Sequence, residues 1–429
     1  MNDNLNPNEA AGTNIRNSPV SVNPFLQNEP PVTQAIPDEH LFQERAAAAQ
    51  RSQQFIPQNP QQFYGQYQQP QPYNQPYQPY AQNYGGVANA YPPIYTYQKS
   101  PQEIERDNIR QASNVGGKLT IAIFVTMLAV AVIIMIVGFF SGIVQDTPTT
   151  SDPYMGFTPM GFYIYEGLTS LVSIFLPALI IMNSVKKNKQ MKTEDFLPFK
   201  YIEGKKLAAL VFGGMAFCMV AQMMAVILSI NFSIIGFDIN DAVDTTYGTK
   251  PLDVVMNSIC TAMIPALVEE FAYRGVVLGA LKKYDTNLAI IGSAYLFGML
   301  HGNLAQIPFA FALGIVFAYI RVKTDSMMPN ILIHFGNNFY AVIISTIDEV
   351  APDSISTIID VAIMVMFVAI GFICVYYLTK SDKNFFKLEP EKSTTLNTKE
   401  KMKTFFTSGT VIASTIILCI ETITVIKML

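Results

Sequence analysis

Residues 267–275, LVEEFAYRG, place two adjacent carboxylates, Glu269 and Glu270, and one guanidinium, Arg274, inside a stretch that otherwise reads as membrane-spanning helix. An isolated charge at the centre of a membrane helix costs on the order of 2.5–3.5 kcal/mol on insertion scales, so all three must face protein or a water-filled cavity. Residues four apart share a helix face, which predicts an internal Glu270–Arg274 ion pair; Glu269 is turned about 100° away. A carboxylate left facing a cavity is a candidate general base. Pro265, one turn earlier, frees the carbonyl of Thr261 and predicts a kink ahead of the acidic pair, although a proline there also reads as one a membrane helix simply tolerates.

Two of the three histidines also fall in apolar runs, His301 in YLFGMLHGN and His334 in PNILIHFGNNFY, whereas His40 lies in a polar N-terminal region. Imidazole at membrane depth marks a proton path, a metal or a catalytic group. Asn338 follows His334 by four and shares its face, a donor pair suited to an oxyanion. Gly292, Ser293, Ala294 and Gly298 thin one helix enough for close approach to a neighbour. Taken singly, each cluster has a structural reading, as an ion pair or an interhelical hydrogen bond. Taken together they read as a site.

Positioning these groups takes several helices in lipid. The 429-residue chain is 50% hydrophobic and only 14% charged, and its mean hydropathy is positive, a balance seldom seen in soluble domains. Its formal net charge of -4 points to no nucleic-acid partner. Runs long enough to span a bilayer lie near 119–141, 162–183, 207–230, 254–281, 287–302, 304–320, 328–347, 358–379 and 404–426, which predicts an all-α, polytopic transmembrane helical bundle of 8–9 helices. The short fifth and sixth runs, parted by Gly302 and Asn303, leave the number open. Seven lysines in SVKKNKQMKTEDFLPFKYIEGKK, with the basic loops LKKYD, RVKTD and TKSDKNFFKLEPEKSTTLNTKEKMK, alternate with acidic loops around Asp146 and Asp152, around Asp238, Asp241 and Asp244, and around Asp348, Glu349 and Asp353. The N-terminus is therefore expected on the cytoplasmic side of the cell membrane.

Residues 1–110 read as a disordered tail, because a Gln/Pro/Tyr-rich tract cannot bury enough apolar surface to fold. It carries no signal-peptide pattern and reads as a solvated tether whose partner the sequence does not name. The expected organisation is this tail, N-terminal membrane helices over 111–250, a catalytic membrane core over 251–348, and C-terminal membrane helices over 349–429. Cys218, Cys260, Cys374 and Cys419 lie in apolar runs without a CxxC pair and read as packing residues. If helices four and five turn near Tyr284, Glu269 and His301 are each about 16 residues, roughly 24 Å, from that turn and can meet. His334 is only about 9 residues, roughly 13 Å, from a turn near Asp325. Either helices four and five project past the bilayer into the cytoplasm or the Gly302/Asn303 turn is submerged; the first is the preferred reading and sets the site in the cytoplasmic half.

The ordered pattern E-E-x-x-x-R (Glu269, Glu270, Arg274), F-x-x-x-H (Phe297, His301) and H-x-x-x-N (His334, Asn338), spread over about residues 250–345, resembles the CPBP family. These are the CAAX-protease and bacteriocin-processing intramembrane proteases, also called Abi proteins, related to the Ras-converting prenyl protease. The resemblance implies an endopeptidase in which Glu269 and His301 activate water, His334 and Asn338 stabilise the oxyanion, and Glu270 and Arg274 support the site. Substrates would be termini of membrane-associated or lipidated proteins, or small secreted peptides, with membrane lipids as surroundings. Family members are also described as metalloproteases, and Glu269, His301 and His334 could give zinc three ligands with water as the fourth. There is no H-E-x-x-H, and no second carboxylate on that face to serve as base if Glu269 binds metal. Metal-free activation with no cofactor is the favoured reading, zinc the alternative. The rival function is non-catalytic: a transporter, or an immunity or scaffold protein on a protease-like fold. A carrier would more often show repeated halves, and no such repeat is visible.

Overall fold

The computed structural model describes residues 97–141, 157–189, 191–239, 248–388 and 395–428. The tail up to residue 96, with His40, and the loop positions Asp146, Asp152, Asp241 and Asp244 lie outside them. Eleven helices are described: α1 Pro101–Ser141, α2 Pro159–Asn188, α3 Thr193–Phe196, α4 Gly204–Ile234, α5 Pro251–Lys282, α6 Thr286–Leu300, α7 Gln306–Thr324, α8 Met328–Val350, α9 Asp353–Ser381, α10 Thr398–Phe406 and α11 Gly409–Val425. The one strand pairing among the described residues joins Phe237–Asp238 to Lys427–Met428, antiparallel.

This is an all-α, multi-pass membrane protein. Helices α1, α2, α4, α5, α7 and α9 are each long and apolar enough to cross a bilayer, and α10 with α11 make a seventh span if counted together. The other two expected spans are α6 and α8. Helix α6 is only 15 residues long and is enclosed by its neighbours, so it needs no lipid-facing surface. Helix α8 carries Asn330, His334, Asn337 and Asn338, and those polar groups dilute its apolar character. Thus the two weakest membrane signals belong to the helices that carry both histidines of interest, His301 capping the end of α6.

Two boundaries differ from the sequence reading. The tail does not run to residue 110, because α1 begins at Pro101, where Ser100 and Glu103 cap each other's backbone amides at 3.3 and 2.8 Å. Its 41 residues extend about 60 Å, twice a bilayer core. Ile109, Ala112, Gly116, Leu119 and Ile123 form a buried stripe at helical spacing that starts ahead of the apolar run and continues into its first turns. The last span is also not one rod: it bends by 60° between Phe406 and Gly409. Helix α10, TKEKMKTFF, is polar and starts from its own Asn397/Glu400 capping box, so it follows a different direction from the apolar α11.

The helices form two groups with separate apolar cores. One packs α1, α2, α5, α6 and α10–α11 around Ile123, Tyr273, Leu296 and Phe405. The other packs α4, α8 and α9 around Met219, Ile333 and Leu378, and α7 contributes to both. Helices α6 and α7 approach closely where sequence composition predicted it. A Cβ on Gly298 would stand 2.9 Å from Cβ of Phe311, and one on Gly314 would stand 2.9 Å from Cα of Ala294. The turn between them uses Gly302 at φ 60° and then Asn303, whose side chain accepts the amides of Ala305 and Gln306 at 2.9 and 3.2 Å. Gly298→Ala should therefore destabilise the protein by about 1–3 kcal/mol through overpacking. Thermal unfolding in detergent measures this against Gly204→Ala, a position where an added methyl meets nothing within 4 Å.

Candidate active site

Helix α5 is not wound uniformly. Two wide turns, Ser258–Met263 and Phe271–Val277, flank an ordinary helical segment, Ile264–Glu270. In the first the amide of Ile264 reaches the carbonyl of Ile259, and in the second that of Leu278 reaches Tyr273, each five residues back. Pro265 sits in the first turn of the middle segment, where its missing N–H is tolerated. The expected disturbance around Pro265 thus appears as a widened turn, not a break, and such turns recur at functional sites. The second carries Tyr273 and Arg274.

Arg274 donates from Nη1 to Oε1 of Glu270 at 2.8 Å, and both side chains are fully buried. The same carboxylate oxygen lies 3.2 Å from Nδ1 of His334 on α8, and Nε2 of His334 lies 3.8 Å from Oε2 of Glu269. Four ionisable groups therefore run in an alternating series, Arg274, Glu270, His334, Glu269. The guanidinium carbon stands 4.0 Å from the ring centre of Phe297 and 5.1 Å from that of Phe317. Among the described residues Nε and Nη2 of Arg274 and Oε2 of Glu270 have no hydrogen-bond partner. Contact with the two π faces partly replaces the lost solvation of the cation.

Phe297 connects this series to a second group. Its ring centre is 4.9 Å from that of His301 and 6.0 Å from that of His334. His301 ends α6, and its Nδ1 lies 3.0 Å from the carbonyl of Phe297, so that nitrogen donates and Nε2 keeps its lone pair. His301 and Asn338 line a cavity of about 880 Å³. Asn337 donates to Oδ1 of Asn338 at 3.4 Å, leaving the Asn338 NH₂ as that amide's unbound donor.

The structure thus brings Glu269, Glu270, Arg274 and His334 into one cluster and puts His301 and Asn338 in the wall of the adjoining cavity. His334 does not line that cavity; it is set back between the two glutamates. Nor is Glu269 part of the wall, although its side chain keeps some exposure. The helix ends at these turns are offset: Asp325 lies 3.4 Å from Lys282, short of the Tyr284 turn, which lets the shorter arm of α8 reach Glu270. Sequence reasoning missed Phe317, Asn337, Gln222 and Gln306, the last three of which also line the cavity. Gln222 interrupts an apolar run and would have emerged from the rule that found His301; Phe317 has no such signal. Glu269, His301 and His334, the set considered for zinc, do not form a ligand cluster; no three His, Cys, Asp or Glu residues do so among the described residues. As placed, these three side chains do not fit a zinc ion.

Residues 251–340 match the family model of the type II CAAX prenyl endopeptidase Rce1-like proteins. The match begins with α5 and ends two residues past Asn338. The membrane-embedded CAAX protease MroQ of Staphylococcus aureus (strain USA300) is 24% identical over 210 residues, 46% of this chain and 80% of its own. YdiL of Bacillus subtilis (strain 168), described provisionally as a membrane peptidase, is 30% identical over 95 residues, 22% of this chain. The chain spans 37% of the length of that relative. No solved structure matches.

Removing one partner from a buried pair leaves an uncompensated charge, so Arg274→Met should destabilise the protein by about 3–5 kcal/mol. Arg274→Lys should recover little, because an ammonium cannot spread between two rings as the planar guanidinium does. The double variant Glu270→Gln/Arg274→Met should regain much of the loss. Unfolding midpoints in detergent provide the comparison, and an additive double variant contradicts the pairing.

Proposed function

We propose, from the premise that residues 251–340 are a CAAX-protease segment of the Rce1-like kind, that this protein is a membrane endopeptidase. It hydrolyses peptide bonds near the termini of membrane-associated, lipidated (CAAX-like) or small secreted peptides. The observation that carries the reading is the series Arg274–Glu270–His334–Glu269 beside a cavity walled by His301 and Asn338.

Glu269 takes a proton from a water that donates its second hydrogen bond to Nε2 of His301. The resulting hydroxide attacks the carbonyl carbon of the scissile bond. Charge on the carbonyl oxygen meets the NH₂ of Asn338, and Glu269 returns the proton to the departing amine nitrogen. His334, held by Glu270, orients Glu269 through Nε2; their 3.8 Å separation is open enough to tighten when substrate binds. A helix-walled cavity admits an extended terminus and excludes a folded domain. The basic loops support a reading in which the tail and the site face the cytoplasmic side of the cell membrane, with the catalytic core at 251–348 between the flanking helices.

Cleavage of an internally quenched lipopeptide in proteoliposomes tests this. Glu269→Gln and His301→Ala should each lower kcat by about 10²–10⁴, and Asn338→Ala by about 10²–10³, with unfolding midpoints near that of the parent. Undiminished turnover in Glu269→Gln ends the assignment, and solute flux without cleavage would establish a carrier instead.

A further inference from the structure

Outside the active site, α1, α2 and the end of α5 enclose a second cavity, of about 310 Å³. Its walls include Asn114 and Lys118 from α1, Ser184 and Asn188 from α2, and Ala280 and Tyr284 at the end of α5. The α1 and α2 pairs are each four residues apart, so those two helices turn one face each toward a space that the end of α5 and the turn after it close. The proposed proteolysis uses none of these residues.

Depth and chemistry both constrain the occupant. Lys118 immediately precedes the apolar run of α1, Ser184 and Asn188 follow the apolar run of α2, and Tyr284 follows α5. All three walls therefore leave the hydrocarbon at this level, where lipid headgroups begin. The groups available include several donors. The side-chain oxygen of Asn114 already accepts from the amide and hydroxyl of Thr410 at 3.3 and 2.9 Å, which leaves its NH₂ as the unbound end. Lys118 adds an ammonium group, the one lysine in the lining. No carboxylate lines the space.

We infer that this cavity binds a phosphate group, supplied by the headgroup of an anionic phospholipid in the leaflet that faces the basic loops. Lys118 and the Asn114 amide donate to the phosphate oxygens, with the hydroxyls of Ser184 and Tyr284 beside them. A bound headgroup there touches the turn that joins α5 to α6.

The test uses the full-length protein in neutral detergent, with Tm read against added dioleoylphosphatidylglycerol, dioleoylphosphatidylcholine or inorganic phosphate. Phosphatidylglycerol should raise Tm saturably, and phosphatidylcholine should not at the same concentrations. Lys118→Met should move the half-saturation point up by about tenfold. Lys187→Met, an exposed lysine outside the cavity, should leave it in place. Ser184→Leu, which fills the space, should weaken the response without removing charge. If inorganic phosphate alone saturates the response and Lys118→Met abolishes that, the site stands with a soluble anion as ligand. A Lys118→Met protein that titrates with phosphatidylglycerol like the parent, or a Lys187→Met protein shifted equally, overturns the inference.

Discussion

The arrangement depends on keeping one guanidinium out of water. Arg274 is fully buried, and a cation so placed is tolerated only with an anion and polarisable surface close by. Glu270 supplies the anion from the same helix, Phe297 one ring from α6 and Phe317 the other from α7. Those rings belong to the two different apolar cores. A single charge thus sets the spacing between two packed groups of helices. Because Glu270 also faces His334 on α8, the Arg274–Glu270 pair touches the three helices that carry the candidate chemistry, α5, α6 and α8, and α7 as well.

A second regularity concerns orientation. Asymmetric polar groups around the site have one end occupied, which defines what the other end can do. Nδ1 of His301 donates to the Phe297 carbonyl, leaving Nε2 a lone pair. Oδ1 of Asn338 accepts from Asn337, leaving its NH₂ as a donor. Nδ1 of His334 meets Glu270, and Nε2 is directed at Glu269. Preorganisation of this kind lowers the cost of reaching a productive geometry, because the rotamer is already chosen before substrate arrives.

What could be read in the sequence follows from which forces act locally. The cost of an intramembrane charge is local, and it exposed Glu269, Glu270, Arg274, His301 and His334. The i,i+4 rule is local too, and it pairs Glu270 with Arg274 on their spacing alone. Long-range packing left weaker traces. Phe317 is one aromatic residue among many in an apolar run, and only the fold aligns it with Arg274. The start of α1 was hidden because its buried stripe is built with Ser113, Gly116 and Gly117 among polar neighbours, so no apolar run announces it. His334 and Asn338 are four apart on α8, but only the fold shows that the first meets the glutamates while the second reaches the cavity.

The hairpin that carries Glu269 and His301 is also fixed at its far end. Asp285 begins α6, where one carboxylate oxygen accepts the amide of Leu288 at 2.8 Å and the other lies 2.9 Å from Nζ of Lys401. Lys401 belongs to α10 and is as buried as Asp285, so this pair carries the same penalty for breaking as the one at Arg274. Glu105 of α1 holds the start of that segment by accepting the amides of Thr395 and Leu396, and Thr410 of α11 bonds Asn114 of α1. The first and last membrane helices therefore brace the turn between α5 and α6 although neither lies within residues 251–340. Near the candidate base α5 meets α6 where Arg274, paired with Glu270 on its own helix, stacks on Phe297, and at the turn the Asp285–Lys401 pair ties the start of α6 to α10. Contacts from helices outside residues 251–340 therefore help to hold the hairpin that carries Glu269 and His301.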